Sequence, residues 1–353
     1  MTVTAHDRQA DWDDLVGRFG GQAFQSWAWG ELKSRFGWQP YRLSAGDSAS
    51  AAQLLIRPFR GLAVAYVPRG PITTDDGAVD AGLLEEITRV ARSRRAAFVR
   101  LEPDLAQDDP RAATLDAQLR AAGFRTAEKT IQPRSTVVLD LTPPLPDLLH
   151  GLSKGHRGNI KRAERDGVTV RGATDLAETQ TLHDMVRASA VRKSFGFHSA
   201  AYFRALLEEF GDAAQLLIAE HDGAAIGAAL VLAWAGQGTY LSAGSNTAGL
   251  ELSAAHAIHW HAIRWAKERG ARTWDHFGIA DARGRVELAA AAGEDRATPE
   301  MERLEAAARH DPLDGVYRFK KGWGGRVVRF MPAYERVFIP PVHWLWSRRR
   351  NDA

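Results

Sequence analysis

The sequence contains no cysteine, which excludes disulfide scaffolds, thiolate metal sites and cysteine nucleophiles. It also lacks an apolar run near the ~20 residues that span a bilayer. Its first residues, MTVTAHDRQADWDDL, are polar and acidic, unlike a secretory signal. From these absences we expect a cytoplasmic protein.

Lysine is scarce as well. It occurs only at Lys33, Lys129, Lys154, Lys161, Lys193, Lys267, Lys320 and Lys321. All other cationic side chains apart from histidine are arginine, and the net charge is +3 with a pI of about 9.2. Such mild basicity permits an anionic partner but does not require one. The paired lysines lie in GVYRFKKGWGG, between an aromatic residue and a glycine-rich turn.

The chain is long enough for two domains, with 353 residues of which 45% are hydrophobic. The pattern of predicted elements occurs twice: helices, then consecutive strands, then a helix and a strand. The first series ends in STVVLDLT, which we expect to close the first unit before the proline-punctuated joint TPPLPDLLHGLS. The second runs from the basic helix KGHRGNIKRAERDG to the strand ARTWDHFGI. We predict an α+β fold of two similar tandem units, with a helical excursion or mobile loop over residues 281–312.

The helix KGHRGNIKRAERDG places four cations along one face, at near i, i+3 and i+4 steps. They are Lys154, Arg157, Lys161 and Arg165. Such a stripe suits a phosphate backbone. A solvated helix face is the alternative, and the pattern alone favours it.

Three histidines lie in AAHAIHWHAIRWA. His256 and His259 are one turn apart and could share a metal ion, whereas His261 points elsewhere. We favour structural or surface roles and predict no metal site.

Two strands end in polar or small residues. Asp275 in WDHFGI is predicted to anchor a turn rather than to act in catalysis. In YLSAGSN, Tyr240 and Ser242 share one strand face. The small residues that follow leave space for a ligand, or indicate close packing, and the sequence does not decide between these.

The RFKKGWGG segment combines a planar ring with two ammonium groups. The ring could stack on a terminal nucleotide while a lysine contacts phosphate. A lysine also suits the oxyanion that develops in acyl transfer. The motif alone favours a surface pair before a turn.

The chain resembles the Fem family of aminoacyltransferases, which build the interpeptide bridges of bacterial peptidoglycan. Five stretches carry the resemblance, in the family's order: FQSWAWGELKSRFGW, YVPRGP, LSKGHRGNIKRAERDGVTV, TYLSAGSN with its long helix and WDHFGI, and GVYRFKKGWGG. The resemblance implies two tandem GNAT-like (acyl-CoA N-acyltransferase-like) domains without a coiled-coil insertion. It implies a precursor-binding domain at 1–146 and about 333–353, and a catalytic, tRNA-binding domain at 147–332.

The reaction implied by the resemblance moves an amino acid of the glycine, alanine or serine class from aminoacyl-tRNA. The acceptor is the side-chain amine of the stem-peptide diamino acid, in UDP-MurNAc-pentapeptide or lipid II, and the product serves cell-wall biogenesis and cell shape. No cofactor and no DNA partner are implied. The C-terminal WLWSRRR could contact the inner membrane face, although we favour a disordered basic tail.

Site residues follow from the same resemblance. Phe319 and Lys320 match the pair that meets the tRNA end, and Lys320 would also stabilise the tetrahedral oxyanion. Lys321 would help to attract tRNA, as would the basic helix. Lys33 and Arg69 match precursor-binding positions.

Three positions depart from the family's pattern. Asp104 stands where a tyrosine is expected, and it is a candidate general base. His198 stands where arginine is frequent, four residues before Tyr202, and Ser242 replaces the second tyrosine of a Tyr-x-Tyr that begins at Tyr240. Asp104, His198, Ser242 and the two tyrosines are all expected to lie at substrate-binding positions. The three departures leave the type of precursor open.

Three other functions compete with this hypothesis. One is a coenzyme-A-dependent N-acyltransferase on the same fold. Another is a non-catalytic tRNA-binding or cell-wall accessory module. The third is an aminoacyltransferase that acts on protein N-termini or lipids.

Overall fold

The chain forms two compact units in a computed structural model that describes residues 3–45, 50–127, 129–193, 197–293 and 298–349. Unit 1 consists of residues 1–134 and 330–353, and unit 2 of residues 135–329. Unit 2 is therefore inserted between the two segments of unit 1.

Helices and strands alternate along the chain. The first segment contains β1 (Val3–Ala5), α1 (Gln9–Arg18), α2 (Trp27–Ser34), β2 (Gln39–Ala45), β3 (Ala51–Phe59), β4 (Leu62–Val67), α3 (Ala81–Ser93), β5 (Ala96–Leu101), α4 (Ala112–Ala121) and β6 (Arg125–Ala127). Unit 2 contains β7 (Ser135–Asp140), α5 (Leu145–Gly151), α6 (Lys154–Arg165), β8 (Thr169–Gly172), α7 (Thr179–Lys193), α8 (Ala200–Phe210), β9 (Ala214–His221), β10 (Ala224–Trp234), β11 (Gln237–Ser245), α9 (Thr247–Glu251), α10 (Ala254–Glu268), β12 (Thr273–Asp275), α11 (Asp281–Ala291), α12 (Pro299–His310), α13 (Asp314–Lys321) and β13 (Arg326–Arg329). The chain then returns to unit 1 with β14 (Ala333–Val337) and α14 (Pro340–Arg349).

Unit 1 is built on a seven-stranded sheet in the order β1-β2-β3-β4-β5-β14-β6. Its strand pairs are antiparallel except β4 and β5, which run parallel. Helix α3 packs on one face through an apolar stripe that includes Leu83, Ile87 and Val90. Asp80 caps this helix by accepting a hydrogen bond from the Leu83 amide.

Unit 2 repeats this plan in a sheet of order β13-β7-β12-β11-β10-β9-β8. Again one pair, β11 and β12, is parallel. The long helix α10 covers the sheet with Ile258, Ile263 and Trp265, beside the buried Trp274 and Trp323. Each unit thus presents one parallel pair within an otherwise antiparallel sheet. Arg69 and Asp104 follow the ends of the pair in unit 1, and the turn that Lys320 contacts follows β12 in unit 2.

The predicted fold class is confirmed, since both units are α+β and each has its own sheet and core. One strand differs from expectation. STVVLDLT, predicted to close the first unit, is β7 and pairs with β12 and β13 in unit 2. Both sides of β7 are hydrogen-bonded to strands of unit 2, so the boundary between the units lies before Ser135 and not at the expected residue 146.

Two further segments are helical: the first confirms the helical alternative predicted for residues 281–312, and the second differs from the expected disordered tail. Residues 281–293 and 298–310 contain α11 and α12, while 294–297 lie outside the described residues. The expected basic tail is helical over Pro340–Arg349 and packs on unit 1. Within the described ranges, no helix has both the length and the apolar character needed to cross a membrane.

Candidate functional site

Arg69 and Asp104 follow the carboxyl ends of the parallel strands β4 and β5. The Arg69 side chain is buried, and its guanidinium carbon lies 3.7 Å from the centre of the Phe330 ring. Its Nη2 donates to the Pro133 carbonyl at 2.8 Å, whereas its Nε lies 4.0 Å from Asp104 Oδ1. Asp104 accepts a hydrogen bond of 2.6 Å from Gln22. The two predicted residues are therefore brought together as a cation beside an oriented carboxylate.

A buried polar network holds this loop in place. Glu102, the residue after β5, accepts hydrogen bonds from the Tyr66 hydroxyl at 2.6 Å and from the Gln132 amide at 2.9 Å. Gln25 accepts from the Gln53 amide at 2.7 Å and donates to the Pro68 carbonyl next to Arg69. Since buried polar groups left without partners are costly, this network fixes the backbone that carries Arg69.

Lys33 lies on α2 rather than at a strand end. Its ammonium is 4.8 Å from the centre of the Trp29 ring. Burial, with a smaller contribution from the Arg57 charge, lowers the pKa of Lys33 to about 8. Its charge therefore changes in a range where an ordinary lysine stays protonated.

Lys320 is held by backbone carbonyls that follow β12. Its Nζ donates to the carbonyls of Phe277 at 2.9 Å and Gly278 at 2.6 Å. Phe277 has a φ of 64°, a left-handed conformation that is unusual for a bulky residue. Asp275 accepts from the Phe277 amide at 2.7 Å, and Thr136 donates to the Phe277 carbonyl at 2.9 Å. The anchoring role predicted for Asp275 is confirmed, and the turn that it holds presents both carbonyls to Lys320.

Two hydrogen-bonded histidines lie beside this lysine. The rings of His259 and His276 are 4.9 Å apart and nearly parallel, with Nε2 of His259 2.8 Å from Nδ1 of His276. Trp274 donates its indole N–H to the same Nε2 at 3.2 Å. An indole N–H can only donate, so this Nε2 is an acceptor and His259 carries its proton on Nδ1.

Burial keeps these histidines neutral. It is the main cause that lowers the pKa of both His259 and His276 well below the usual value, and the Lys320 charge acts in the same direction. Burial also lowers the pKa of His256 to about 4. Lys320 thus stands as a cation beside neutral rings.

The GVYRFKKGWGG segment ends helix α13 and enters β13. Lys320 and Lys321 are the last helical residues, and the predicted turn follows them at Gly322 and Trp323. Gly322 lies so close to the His156 ring that an added Cβ would overlap it. The next residue, Trp323, is fully buried and stacks on His259 with ring centres 4.4 Å apart.

Phe319 is packed rather than free. Its ring centre lies 5.1 Å from that of His256, 5.4 Å from His156 and 5.8 Å from Trp323. The Phe319 ring is only partly exposed, so only part of it is accessible for stacking on a nucleotide base. Lys321 is exposed, and its ammonium donates weakly to the Gly325 carbonyl at 3.4 Å.

The predicted basic stripe lies on α6, but its four cations differ in their contacts. Lys154 and Lys161 are exposed. Arg157 donates to the carbonyls of His150, at 2.8 Å, and Leu152, and so caps the end of α5. Arg165 pairs with Asp166 at 2.9 Å. The four cations do lie on one helix, as predicted, although Arg157 also holds the end of α5 through its hydrogen bonds.

The tyrosines expected to line a cleft are mostly buried. Tyr202 is 6% and Tyr240 9% exposed, and burial raises the pKa of both hydroxyls. His198 stacks on Tyr202 with ring centres 3.9 Å apart, while Tyr240 lies 4.1 Å from His259. Ser242 is half-buried on β11 opposite Leu230. Only His198 of this group is well exposed.

The histidine and tryptophan cluster around Lys320 was missed by sequence reasoning. A signal was present, since HWH in α10 and WDH at β12 both place histidine next to tryptophan. His259 and His276 are 17 residues apart in the sequence, and they meet only because α10 packs on the sheet. The sequence therefore does not reveal their contact. In the described part of the chain, no three histidine or carboxylate side chains converge as metal ligands would.

Comparison with known proteins identifies the family. The FemAB family model matches residues 18–225, more than half of the chain. The chain belongs to the FemAB family. The resemblance predicted from the sequence is thereby confirmed.

One relative in sequence and two solved structures extend the comparison. Lipid II:glycine glycyltransferase of Staphylococcus aureus is 26% identical over 215 residues, which are 56% of this chain and 50% of that protein. The match thus spans about half of that relative. The crystal structure of FemX shares the fold with a TM-score of 0.79 at 18% identity, over 98% of this chain and 99% of that one. A tandem GNAT protein from the clavulanic acid biosynthesis pathway reaches 0.51 at 14% identity, over 95% and 98%.

Proposed function

We propose that the protein is an aminoacyltransferase that moves an amino acid from aminoacyl-tRNA to the side-chain amine of a peptidoglycan precursor. Family membership supports the transferase class. The relative named lipid II:glycine glycyltransferase favours lipid II over the nucleotide-linked precursor as the acceptor. The observation that carries the proposal is Lys320, a cation fixed by two carbonyls among neutral, buried rings.

Lys320 suits the charge that develops in this reaction. The amine nitrogen attacks the ester carbonyl carbon, and the carbonyl oxygen becomes an oxyanion. An ammonium placed in advance stabilises such an oxyanion more strongly where rings exclude water. When the ester bond breaks, the ribose oxygen leaves and takes the proton that the amine loses. Because the neighbouring histidines are neutral, Lys320 is the cation of this cluster.

Unit 1 supplies groups suited to a charged, polar acceptor. Arg69 is rigid, since it is buried, stacked on Phe330 and bonded to Pro133. A planar guanidinium recognises phosphate or carboxylate through paired hydrogen bonds. Asp104, oriented by Gln22, can accept from the ammonium form of an amine. We therefore assign Arg69, Asp104 and Lys33 to acceptor binding.

The exposed lysines of α6 suit a phosphate backbone. Lys154 and Lys161 lie two turns apart on one helix face, and Lys321 adds a third exposed cation in unit 2. We propose that they contact tRNA together with the accessible part of Phe319. Arg157 and Arg165 contribute less, since both are engaged by other groups.

A coenzyme-A-dependent reaction has less support. In unit 2, the strand β11 leads into α9, where a pyrophosphate would approach backbone amides. The Asn246 side chain already accepts from the Gly249 amide at 2.9 Å. In unit 1, β4 leads instead into a loop that reaches α3 only at Ala81, so no helix N-terminus follows the strand directly.

The mass of the product tests the proposal. The protein is incubated with total charged tRNA and, in separate reactions, with lipid II or UDP-MurNAc-pentapeptide. We expect lipid II to gain the mass of one or more aminoacyl residues. Absence of any product with both acceptors would contradict the proposal, and transfer from acetyl-CoA without tRNA would establish the rival reaction.

A further inference from the structure

Helix α14 packs on the sheet of unit 1 with one face only. Val342 and Trp346 pack against a buried group that includes Val64 and Phe98. On the same side, His343 makes a 2.8 Å hydrogen bond to Glu335. The helix is therefore held in a fixed orientation relative to the sheet.

The opposite face of α14 is apolar and cationic. Trp344 and Leu345 are each 50% exposed. The Arg348 guanidinium lies 3.8 Å from the centre of the Trp344 ring. Outward tryptophan and leucine on a fixed helix expose apolar area that the unit itself does not bury.

The β3–β4 hairpin adds to the same side of the sheet. Arg57 is paired with Val64 and Phe59 with Leu62, so both lie on the face that α14 covers. Phe59 is 53% exposed, and Arg60 lies 5.4 Å from its ring centre. Three of the six exposed large apolar side chains of the described residues thus belong to this hairpin and the outer face of α14.

The arginines of this region are not neutralised by carboxylates. Across the described ranges, Arg57, Arg60 and Arg348 form no salt bridge, and all three are exposed. The nearby carboxylate of Glu335 is buried and bonded to Arg100 at 2.7 Å. The surface therefore combines unpaired positive charge with exposed aromatic and aliphatic groups.

We propose that this α14 surface, formed by Arg57, Phe59, Arg60, Trp344, Leu345 and Arg348, docks on an anionic lipid bilayer. Tryptophan and arginine favour the boundary between headgroups and acyl chains, and leucine and phenylalanine insert below it. The arginines attract anionic headgroups. This inference rests on the proposed function, because a lipid-linked acceptor is held in a bilayer and docking would bring the protein to it. RNA is the alternative occupant, although exposed leucine adds little to RNA binding.

Vesicle sedimentation tests the docking. The full chain is mixed with vesicles of phosphatidylcholine, with and without phosphatidylglycerol. We expect binding only to the anionic vesicles, weakened by salt. The double change Trp344→Ser and Leu345→Ser should reduce binding at least about tenfold. Arg60→Gln with Arg348→Gln should reduce it about tenfold or more.

Matched controls come from unit 2. Leu250→Ser removes an equally exposed leucine, and Arg309→Gln an exposed arginine, and neither should change vesicle binding. The arginine double variant changes no buried side chain, so it tests the surface even if the apolar variant folds poorly. Equal binding by wild type and this variant would overturn the proposal, as would failure of the wild type to bind. Loss of tRNA binding instead of vesicle binding would assign the surface to RNA.

Docking and transfer can fail separately. Transfer to a water-soluble acceptor peptide should be unchanged in all these variants. A protein that transfers but does not bind vesicles would refute the docking alone. A protein that binds vesicles but makes no product would refute the proposed reaction alone.

Discussion

Units 1 and 2 share a sheet plan but differ in what surrounds the ends of the parallel strands. In unit 1, the residues after β4 and β5 are polar and charged, with Arg69, Glu102 and Asp104 at the centre. In unit 2, the corresponding place after β12 is surrounded by rings, with Lys320 as the cation. The same architecture thus places polar and charged side chains at one pair of strand ends and aromatic rings around a lysine at the other.

The two candidate lysines illustrate this difference. Lys33 in unit 1 rests on one indole ring and has a pKa near 8. Lys320 in unit 2 donates to two carbonyl oxygens, which fix the position of its side-chain nitrogen. A group whose charge must be present throughout a reaction is better placed in the second environment. The comparison is consistent with the proposed function, in which unit 1 binds the acceptor and unit 2 stabilises charge.

The largest expected effect is on the aromatic cluster of unit 2. Trp323→Ala removes a fully buried ring that stacks on His259, and should cost about 3–5 kcal/mol of stability. Hydrogen exchange should show lost protection in unit 2 peptides while the α3 peptides of unit 1 stay protected. Trp323→Phe is the matched control, with a smaller loss. Equal loss in both units would contradict separate cores.

A smaller effect is expected on tRNA affinity. Changing Lys154 and Lys161 to Gln removes two exposed charges from α6, and should weaken tRNA binding several-fold. The slope of log affinity against log salt should become shallower by roughly one to two. The matched change Arg204→Gln, in an exposed ion pair on α8, should leave the slope unaltered. A double variant with the wild-type slope would remove α6 from the tRNA site.

The smallest effect concerns pH and Lys33. The pKa near 8 means that Lys33 loses its charge between pH 7 and 9, so acceptor KM should rise several-fold over that range. Lys33→Arg should abolish the rise, because arginine stays charged. A rise in acceptor KM that persists in Lys33→Arg would place the titrating group elsewhere.

The same shift predicts the direction of a stability change. The folded pKa lies below the ordinary 10.5, so burial of the ammonium destabilises unit 1 at low pH. This penalty is relieved as pH rises from about 8 to 10.5. The Lys33→Met variant should lack that gain in the free energy of unfolding, as followed by denaturant titration.

Much of the fold was predictable because its signals are local. The basic segment KGHRGNIKRAERDG is the helix α6, and STVVLDLT contains a strand, as their patterns predict. Assignment of β7 to unit 2 was not predictable, since alternation shows a strand but not its partner. Pairing with β12 and β13 depends on residues more than 130 positions away.

The candidate site was predictable only in part. Lys320 and Arg69 were found through the family's motifs, and the structure gives each a defined set of partners. The neutral histidines beside Lys320 were not found, because their proximity to Lys320 arises from tertiary packing. Arg157 was expected to bind phosphate, but its capping of α5 depends on a turn that composition does not specify.

In the proposed function Lys320, rather than its neighbour Lys321, stabilises the oxyanion of the transfer reaction. The most direct test is the single-turnover rate with charged tRNA and saturating acceptor, for Lys320→Ala and Lys321→Ala. We expect at least a tenfold loss for Lys320→Ala with retained fold, and little change in rate for Lys321→Ala. A wild-type rate in folded Lys320→Ala would show that Lys320 does not stabilise the oxyanion.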